Sequence, residues 1–323
     1  VNNPISRRRF LVAAAATGLM VRMPSLMAAS GSEAGSASGG HAGTATGGGP
    51  LTKPIPATGE PMPVIGMGTW RTFNVGHDRE LVNQRAEVLR IFFERGGSMV
   101  DGSPMYGTAE AVLGRAMAML EAHDKLFSAT KIWTSDDSAG REQAAQSREL
   151  WGVPRFDLLQ IHNLVGWRGH LETLKQMKDD GEVRYIGITT SHGRRHGDVA
   201  AIMEREPMDF VQLSYDIGNR QAEERLLPLA RERGIAVIAN RPFDGGRLFD
   251  RYKNRPLPDW AEQVGCANWA EFFLKYIVSH PDITCAIPAT TRREHMRENM
   301  GALHGRLPDP EQRERMASHI AGL

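Results

Sequence analysis

The chain has 323 residues, 41% of them hydrophobic and 24% charged, with a formal net charge of +1. That apolar content is enough for a sizeable core, and the absence of a polybasic run argues against a nucleic-acid partner. Its two cysteines, Cys266 in a helical pattern and Cys285 in an apolar strand pattern, do not indicate a disulfide.

Paired arginines open the chain. Ser6-Arg7-Arg8-Arg9-Phe10-Leu11 is followed by an Ala-rich stretch, Val12 to Met20, too short to span a bilayer. The segment resembles a twin-arginine signal, which implies export of the already folded protein by that machinery to the periplasm, with no stable membrane anchor. Residues 1–30 are thus expected to be a cleavable signal. Residues 31–50, rich in Gly, Ser, Ala and Thr, read as a flexible linker. Loss of the signal removes Arg7, Arg8, Arg9 and Arg22 and no acid, taking the charge from +1 to −3. Residues 51–323, roughly 270 in number, match the size of one barrel domain.

The body alternates strand and helix patterns. Pro54 to Pro63 reads as a hairpin against a barrel floor, ahead of a first strand at Val64–Thr69. Within that strand, Gly66-x-Gly68 lacks the third glycine of a dinucleotide fingerprint and reads as close backbone packing. A helix from Arg79 to Arg95 stops at Gly96-Gly97 before the strand Ser98–Val100. Val112, Leu113, Ala116, Met117 and Leu120 recur at helical spacing within Ala109–Leu120. The strand Leu126–Thr130, a helix near Arg141–Leu150 and the strand Phe156–Ile161 come next. Leu171, Leu174 and Met177 mark another helix, and Tyr185–Thr189 the next strand. Val199–Arg205, Glu223–Glu232 and Ala270–Ser279 read as helices, and Phe210–Leu213, Ala236–Ala239 and Thr284–Ile287 as strands, with a long insertion after Ala239. Eight such units predict a single-domain (β/α)8 TIM barrel rather than an open doubly wound sheet.

Asp101, Lys131 and His162 each follow one of three consecutive strand patterns, at the mouth where barrel enzymes keep their chemistry. Tyr106 lies in the first of these loops. A phenol is a poor acid at neutral pH, and a nearby ammonium lowers its pKa. Asp101 can hold Lys131 charged, and His162 can orient a carbonyl. The set suits protonation of an oxygen as hydride reaches carbon, and because side chains cannot supply hydride, a nicotinamide cofactor is implied.

At these residues the chain resembles the aldo-keto reductase superfamily. Asp101-Gly-Ser-Pro-Met-Tyr106-Gly107 is similar to its Asp–Tyr loop, Thr130-Lys131-Ile132-Trp133 to its lysine strand, and Leu158-Leu159-Gln160-Ile161-His162 to its histidine strand. The resemblance implies Tyr106 as general acid, Lys131 as its pKa tuner, Asp101 as partner of Lys131 and His162 as carbonyl orienter. It also implies a cofactor site. Thr189 and Thr190 stand where the family usually has Ser and Asn against the carboxamide, Gln212 matches a third carboxamide contact, and Tyr215 matches the aromatic stacked on the nicotinamide. Arg241, Phe243, Gly246 and Arg247 fall in the pyrophosphate loop. Pro288, Thr290, Arg292, His295, Glu298 and Asn299 fall in the adenosine-phosphate segment. Ala289 and His295 replace a Lys and an Arg that clamp the 2′-phosphate in some members, and Arg292 and Arg293 could substitute. NADPH is the first expectation, with NADH open.

Trp70, Trp133 and Trp167 follow strands and could wall a substrate pocket. His192, His196 and Asp198 are close in sequence, but Gly193 and Gly197 favour a loop, and no metal is assigned. The expected protein is an exported monomeric NAD(P)H-dependent oxidoreductase acting on a small carbonyl or alcohol. The alternative is a nicotinamide-nucleotide-binding sensor with little turnover. A cofactor-free barrel hydrolase would leave Gln212, Tyr215 and the Pro288 segment unexplained.

Overall fold

The computed structural model describes residues 49–323. The expected signal and nearly all of the expected linker lie outside the described residues. An antiparallel hairpin comes first, β1 (Thr52–Pro54) on β2 (Pro61–Pro63). Eight parallel strands follow: β3 (Met67–Gly68), β4 (Met99–Asp101), β5 (Phe127–Ile132), β6 (Phe156–Ile161), β7 (Val183–Thr189), β8 (Phe210–Ser214), β9 (Ala236–Asn240) and β10 (Cys285–Ala286). They pair in sequence order from β3 to β10. A parallel bridge from Ile65 to Ala286 closes the ring, with Gly66 N donating to Ala286 O at 2.9 Å and Gly68 N to Pro288 O at 3.0 Å. Both glycines lie where backbone approaches closely. A Cβ on Gly66 would sit 3.0 Å from Met99 O, and one on Gly68 3.2 Å from Ile287 O.

The alternation of strand side chains sorts the molecule into layers. Inward positions near the floor are apolar: Met99, Phe127, Leu158, Tyr185, Phe210, Ala236 and Cys285 form one buried cluster, which Ile55 and Met62 of the hairpin join from below. Two or four residues further along five of these strands the same face turns polar, giving Asp101, Lys131, Gln160, Thr189 and Gln212. The outward positions, such as Val100, Leu159, Ile161, Val211 and Leu213, pack under the helices in a second cluster.

Those helices are α1 (Arg79–Glu94), α2 (Ala109–Leu120), α3 (Gly140–Trp151), α4 (Trp167–Asp179), α5 (His196–Arg205), α6 (Leu226–Arg233), α7 (Arg247–Tyr252), α8 (Trp269–Val278), α9 (Arg293–Gly301) and α10 (Pro310–Ala321). Helix α6 begins later than the sequence suggests. Pro228 has no N–H to give, so it fits the first turn of a helix starting at Leu226 and not the interior of one starting at Glu223. Helices α7, α9 and α10 were not among the expected elements. Cys266 and Cys285 are both free and buried. Among the described residues no helix is long and apolar enough to cross a membrane.

Candidate active site

The polar layer at the top of the barrel is built around one ion pair. Lys131, at an inward position of β5, places Nζ 2.7 Å from Asp101 Oδ2 at the end of β4, with both side chains at most 3% exposed. The same ammonium donates to Gly102 O at 2.7 Å. The other carboxylate oxygen of Asp101 accepts from Gln212 Nε2 at 2.8 Å and Gln160 Nε2 at 3.4 Å. Burial alone would lower the Lys131 pKa, but Asp101 and Tyr106 together carry it above its ordinary value, so the ammonium stays charged.

Tyr106 ends a short helical turn, Pro104–Tyr106, whose start Ser103 caps by accepting from Met105 N. Lys131 Nζ lies 5.2 Å from the phenol ring centre. His162 meets the same ring edge-on, with centroids 5.7 Å apart and planes at 90°. The phenol departs from expectation in one respect. Burial pushes its pKa above the ordinary value, and Lys131 pulls back only part of that rise, so at neutral pH the group is an intact O–H. Burial, helped by the charge of Lys131, lowers His162 to about 3, which keeps the imidazole neutral.

Support for this loop comes from behind. Glu110 of α2 is buried and accepts from Thr130 Oγ1 at 2.7 Å, Ser147 Oγ at 2.9 Å and Trp151 Nε1 at 2.9 Å. A Cβ on Gly102 would lie 2.5 Å from the Trp151 ring, so the Asp101–Tyr106 loop can rest on that ring only with glycine there.

Tyr106, His162 and Asp101 line the head of a cavity of about 730 Å³, a volume typical of small-ligand sites. The cavity continues past Trp70, Thr189, Thr190 and Gln212, along Arg241, Phe243 and Gly246, to Thr290, His295, Glu298 and Asn299. Most of the expected cofactor residues therefore share one continuous trough. Thr189 Oγ1 already accepts from Asn163 N at 2.9 Å, leaving its own hydrogen for a ligand. Thr190 is less available, because its hydroxyl donates to Arg194 O.

Several expectations are corrected by placement. Tyr215 does not reach the cavity. It follows inward-facing Ser214 and so points out of the barrel, fully buried, with its ring stacked on Tyr276 and its hydroxyl bonded by Glu223 and Arg313. Trp133 is 44% exposed, its backbone tied to the Gln143 side chain beyond the strand end. Trp167 opens α4 and packs against the core edge with Arg168 over its ring. Neither tryptophan lines the cavity. Arg247, Pro288 and Arg292 also stand outside the lining: Arg247 is paired with Asp244, the Pro288 carbonyl holds Gly68 N, and Arg292 is exposed at the N-cap of α9. Among the described residues no group of three or more His, Cys, Asp or Glu could hold a metal ion.

Other residues enter the site that were not among the expected site residues. Asn163, Arg194, Asn240 and Lys253 line the cavity. Ser103 is wholly buried, with Oγ 2.8 Å from His162 Nδ1. Ser103 and Asn163 each adjoin a recognised motif. Arg194 and Lys253 come from irregular segments whose course the sequence pattern does not define.

Comparison with known proteins follows the same lines. A family model described as "Aldo/keto reductase family" matches residues 64–321. Methylglyoxal reductase YeaE of Escherichia coli is 24% identical over 261 residues, covering 77% of this chain and 88% of that protein. An aldo/keto reductase of Klebsiella pneumoniae, crystallised with NADP and acetate, superposes with a TM-score of 0.69 at 23% identity, covering 81% of this chain and 92% of that one. The holo form of the aldo-keto reductase AKR11C1 of Bacillus halodurans superposes at 0.69 with 19% identity, covering 83% and 96%.

Proposed function

Since this chain belongs to the aldo/keto reductase family, we propose that it reduces an aldehyde or ketone with NADPH, Tyr106 being the proton donor and NADH the second candidate. The observation that carries this reading is the run from Tyr106, with Lys131 Nζ 5.2 Å from its ring centre, through the Lys131–Asp101 ion pair to Gln212 at the cavity. The Tyr106 O–H gives its proton to the carbonyl oxygen, and the Lys131 ammonium offsets the negative charge left on the phenol oxygen. Asp101 keeps Lys131 charged and fixed. His162 hydrogen-bonds the same oxygen and aims it at Tyr106. A bound nicotinamide supplies the hydride that reaches the carbonyl carbon, so that hydride and proton together yield the alcohol.

The residues present suit such a cofactor. Thr189 and Gln212 stand beside the catalytic group for the carboxamide. The Gly245-Gly246 turn, both glycines at positive φ, leaves room for close backbone approach, and Arg241, Arg194 and Lys253 supply positive charge along the trough. The N-terminus of α9 has no side-chain cap and adjoins cavity residues Thr290 and His295, which suits an anion there. The NADP-bound Klebsiella relative supports NADPH, and the methylglyoxal reductase relative makes methylglyoxal the first aldehyde to try.

The test is to denature the purified protein, identify released nucleotide by mass spectrometry, and follow NADPH oxidation with methylglyoxal and a panel of simple aldehydes. Bound or titratable NADP(H) with steady turnover is expected. Tight nucleotide with negligible multiple turnover would favour a sensor, and no nucleotide binding would refute the reading. We further place the protein in the periplasm, on the Ser6–Leu11 motif. Cell fractionation of Arg7→Lys/Arg8→Lys should return it to the cytoplasm, and unchanged distribution would exclude that route.

A further inference from the structure

We propose that Ser103 is a positioning residue that holds His162 as the Nε2–H tautomer, so that the ring offers a donor to the substrate carbonyl. The argument starts from a count of hydrogens. Ser103 is wholly buried, and its Oγ meets two nitrogens: Met105 N at 3.2 Å and His162 Nδ1 at 2.8 Å. The Met105 N–H can only donate, so it takes one lone pair of Oγ. If His162 carried its proton on Nδ1, that N–H would take the other lone pair. The serine hydrogen would then be buried without an acceptor, since Oγ has no further hydrogen-bond partner among the described residues. A buried donor left unmet is costly. The arrangement that satisfies every group has Ser103 O–H donating to Nδ1, which puts the ring proton on Nε2.

The consequence appears at the cavity, which His162 lines. A carbonyl oxygen has lone pairs and no hydrogen. An Nε2–H beside the Tyr106 O–H gives it a second donor, whereas the other tautomer would set a nitrogen lone pair against it. Burial and Lys131 keep the imidazole neutral through the working pH range, so the tautomer decides what the ring can do. Ser103 thus acts through His162 without touching substrate. The kinetic part of this inference rests on the carbonyl-reductase reading; the tautomer does not.

The experiment uses the full chain labelled with 15N in histidine, with His162 assigned by its loss in His162→Asn. Long-range 1H–15N correlations should show a bare Nδ1 and a protonated Nε2 from pH 5 to 8. In Ser103→Ala the His162 signals should move toward a mixture of tautomers. kcat for aldehyde reduction should fall about tenfold, the loss of one modest hydrogen bond in the transition state, while NADPH affinity measured by fluorescence titration stays unchanged. Ser103→Thr, which keeps the hydroxyl, should restore both the spectrum and kcat. A wild-type ring protonated on Nδ1 would overturn the proposal, and that spectrum decides even if Ser103→Ala fails to fold. An unmixed Nε2–H spectrum in a folded Ser103→Ala, or an unchanged kcat, would also overturn it. A wild type with the expected tautomer and no reductase activity would refute the functional reading alone.

Discussion

Asp216 offers a stability test with a defined sign. It lies just past β8, next to the strand that carries Gln212, and is 3% exposed. Its Oδ1 accepts from Gly218 N at 2.8 Å and Asn219 N at 2.9 Å, which shapes the turn. Burial, reinforced by the charge of Asp244, raises its pKa from 3.8 to about 6 despite those bonds. A carboxyl whose folded pKa lies above its unfolded one favours the fold while protonated. That contribution is whole below about pH 4 and is lost as pH rises through 6. Above pH 7 the ionised group destabilises the fold by roughly two pKa units, or about 3 kcal/mol. Asn keeps the accepting Oδ1 and never ionises. Asp216→Asn should therefore raise Tm at pH 8 by roughly 5–10 °C, at about 2–4 °C per kcal/mol for a domain somewhat smaller than this. At pH 4 the gain should vanish. Differential scanning calorimetry at both pH values reads the difference. A gain equal at pH 4 and pH 8, or a loss at pH 8, would refute the argument.

Two further substitutions probe the support behind the site. Glu110→Ala leaves the Thr130 and Ser147 hydroxyls and the Trp151 indole N–H without their acceptor, and should cost on the order of 3 kcal/mol in urea unfolding, since unmet buried donors outweigh relief of a desolvated carboxylate; a change under about 1 kcal/mol would contradict the network. Gly114→Ala would put a Cβ 1.8 Å from Leu150 O, a backbone atom that cannot swing aside. It should force α2 and α3 apart and lower stability by about 2 kcal/mol or more, where a surface helix glycine would gain from the same change; a neutral or raised Tm would show that the helices do not approach so closely.

The sequence carried the fold wherever a pattern was enforced by burial. Alternation in Phe127–Ile132 and Phe156–Ile161 fixes which residues face the barrel, and with it the convergence of Asp101, Lys131 and His162. The same parity shows why Tyr215 was misplaced. It comes one residue after the inward-facing Ser214, so an outward course could have been read from the alternation, had family likeness not suggested a stacking role. Trp133 and Trp167 sit beyond the strand ends, where alternation no longer applies and local tethers decide direction. Helix α10 carried a readable start, Asp309-Pro310-Glu311-Gln312, whose capping box is formed in the structure. The rise in the Tyr106 pKa was not legible. It depends on how far burial outweighs a charge nearby, a three-dimensional balance that no spacing records.

Tyr106→Phe tests the central claim most directly, because it removes one oxygen and keeps the ring that packs against His162. NADPH affinity should be measured by fluorescence titration and turnover with methylglyoxal by absorbance, on the same preparation. If Tyr106 is the proton donor, turnover should drop by about 10²–10⁴-fold, the usual worth of a positioned general acid, with cofactor affinity unchanged. Turnover within a few-fold of wild type would contradict that role and remove the basis for the mechanism.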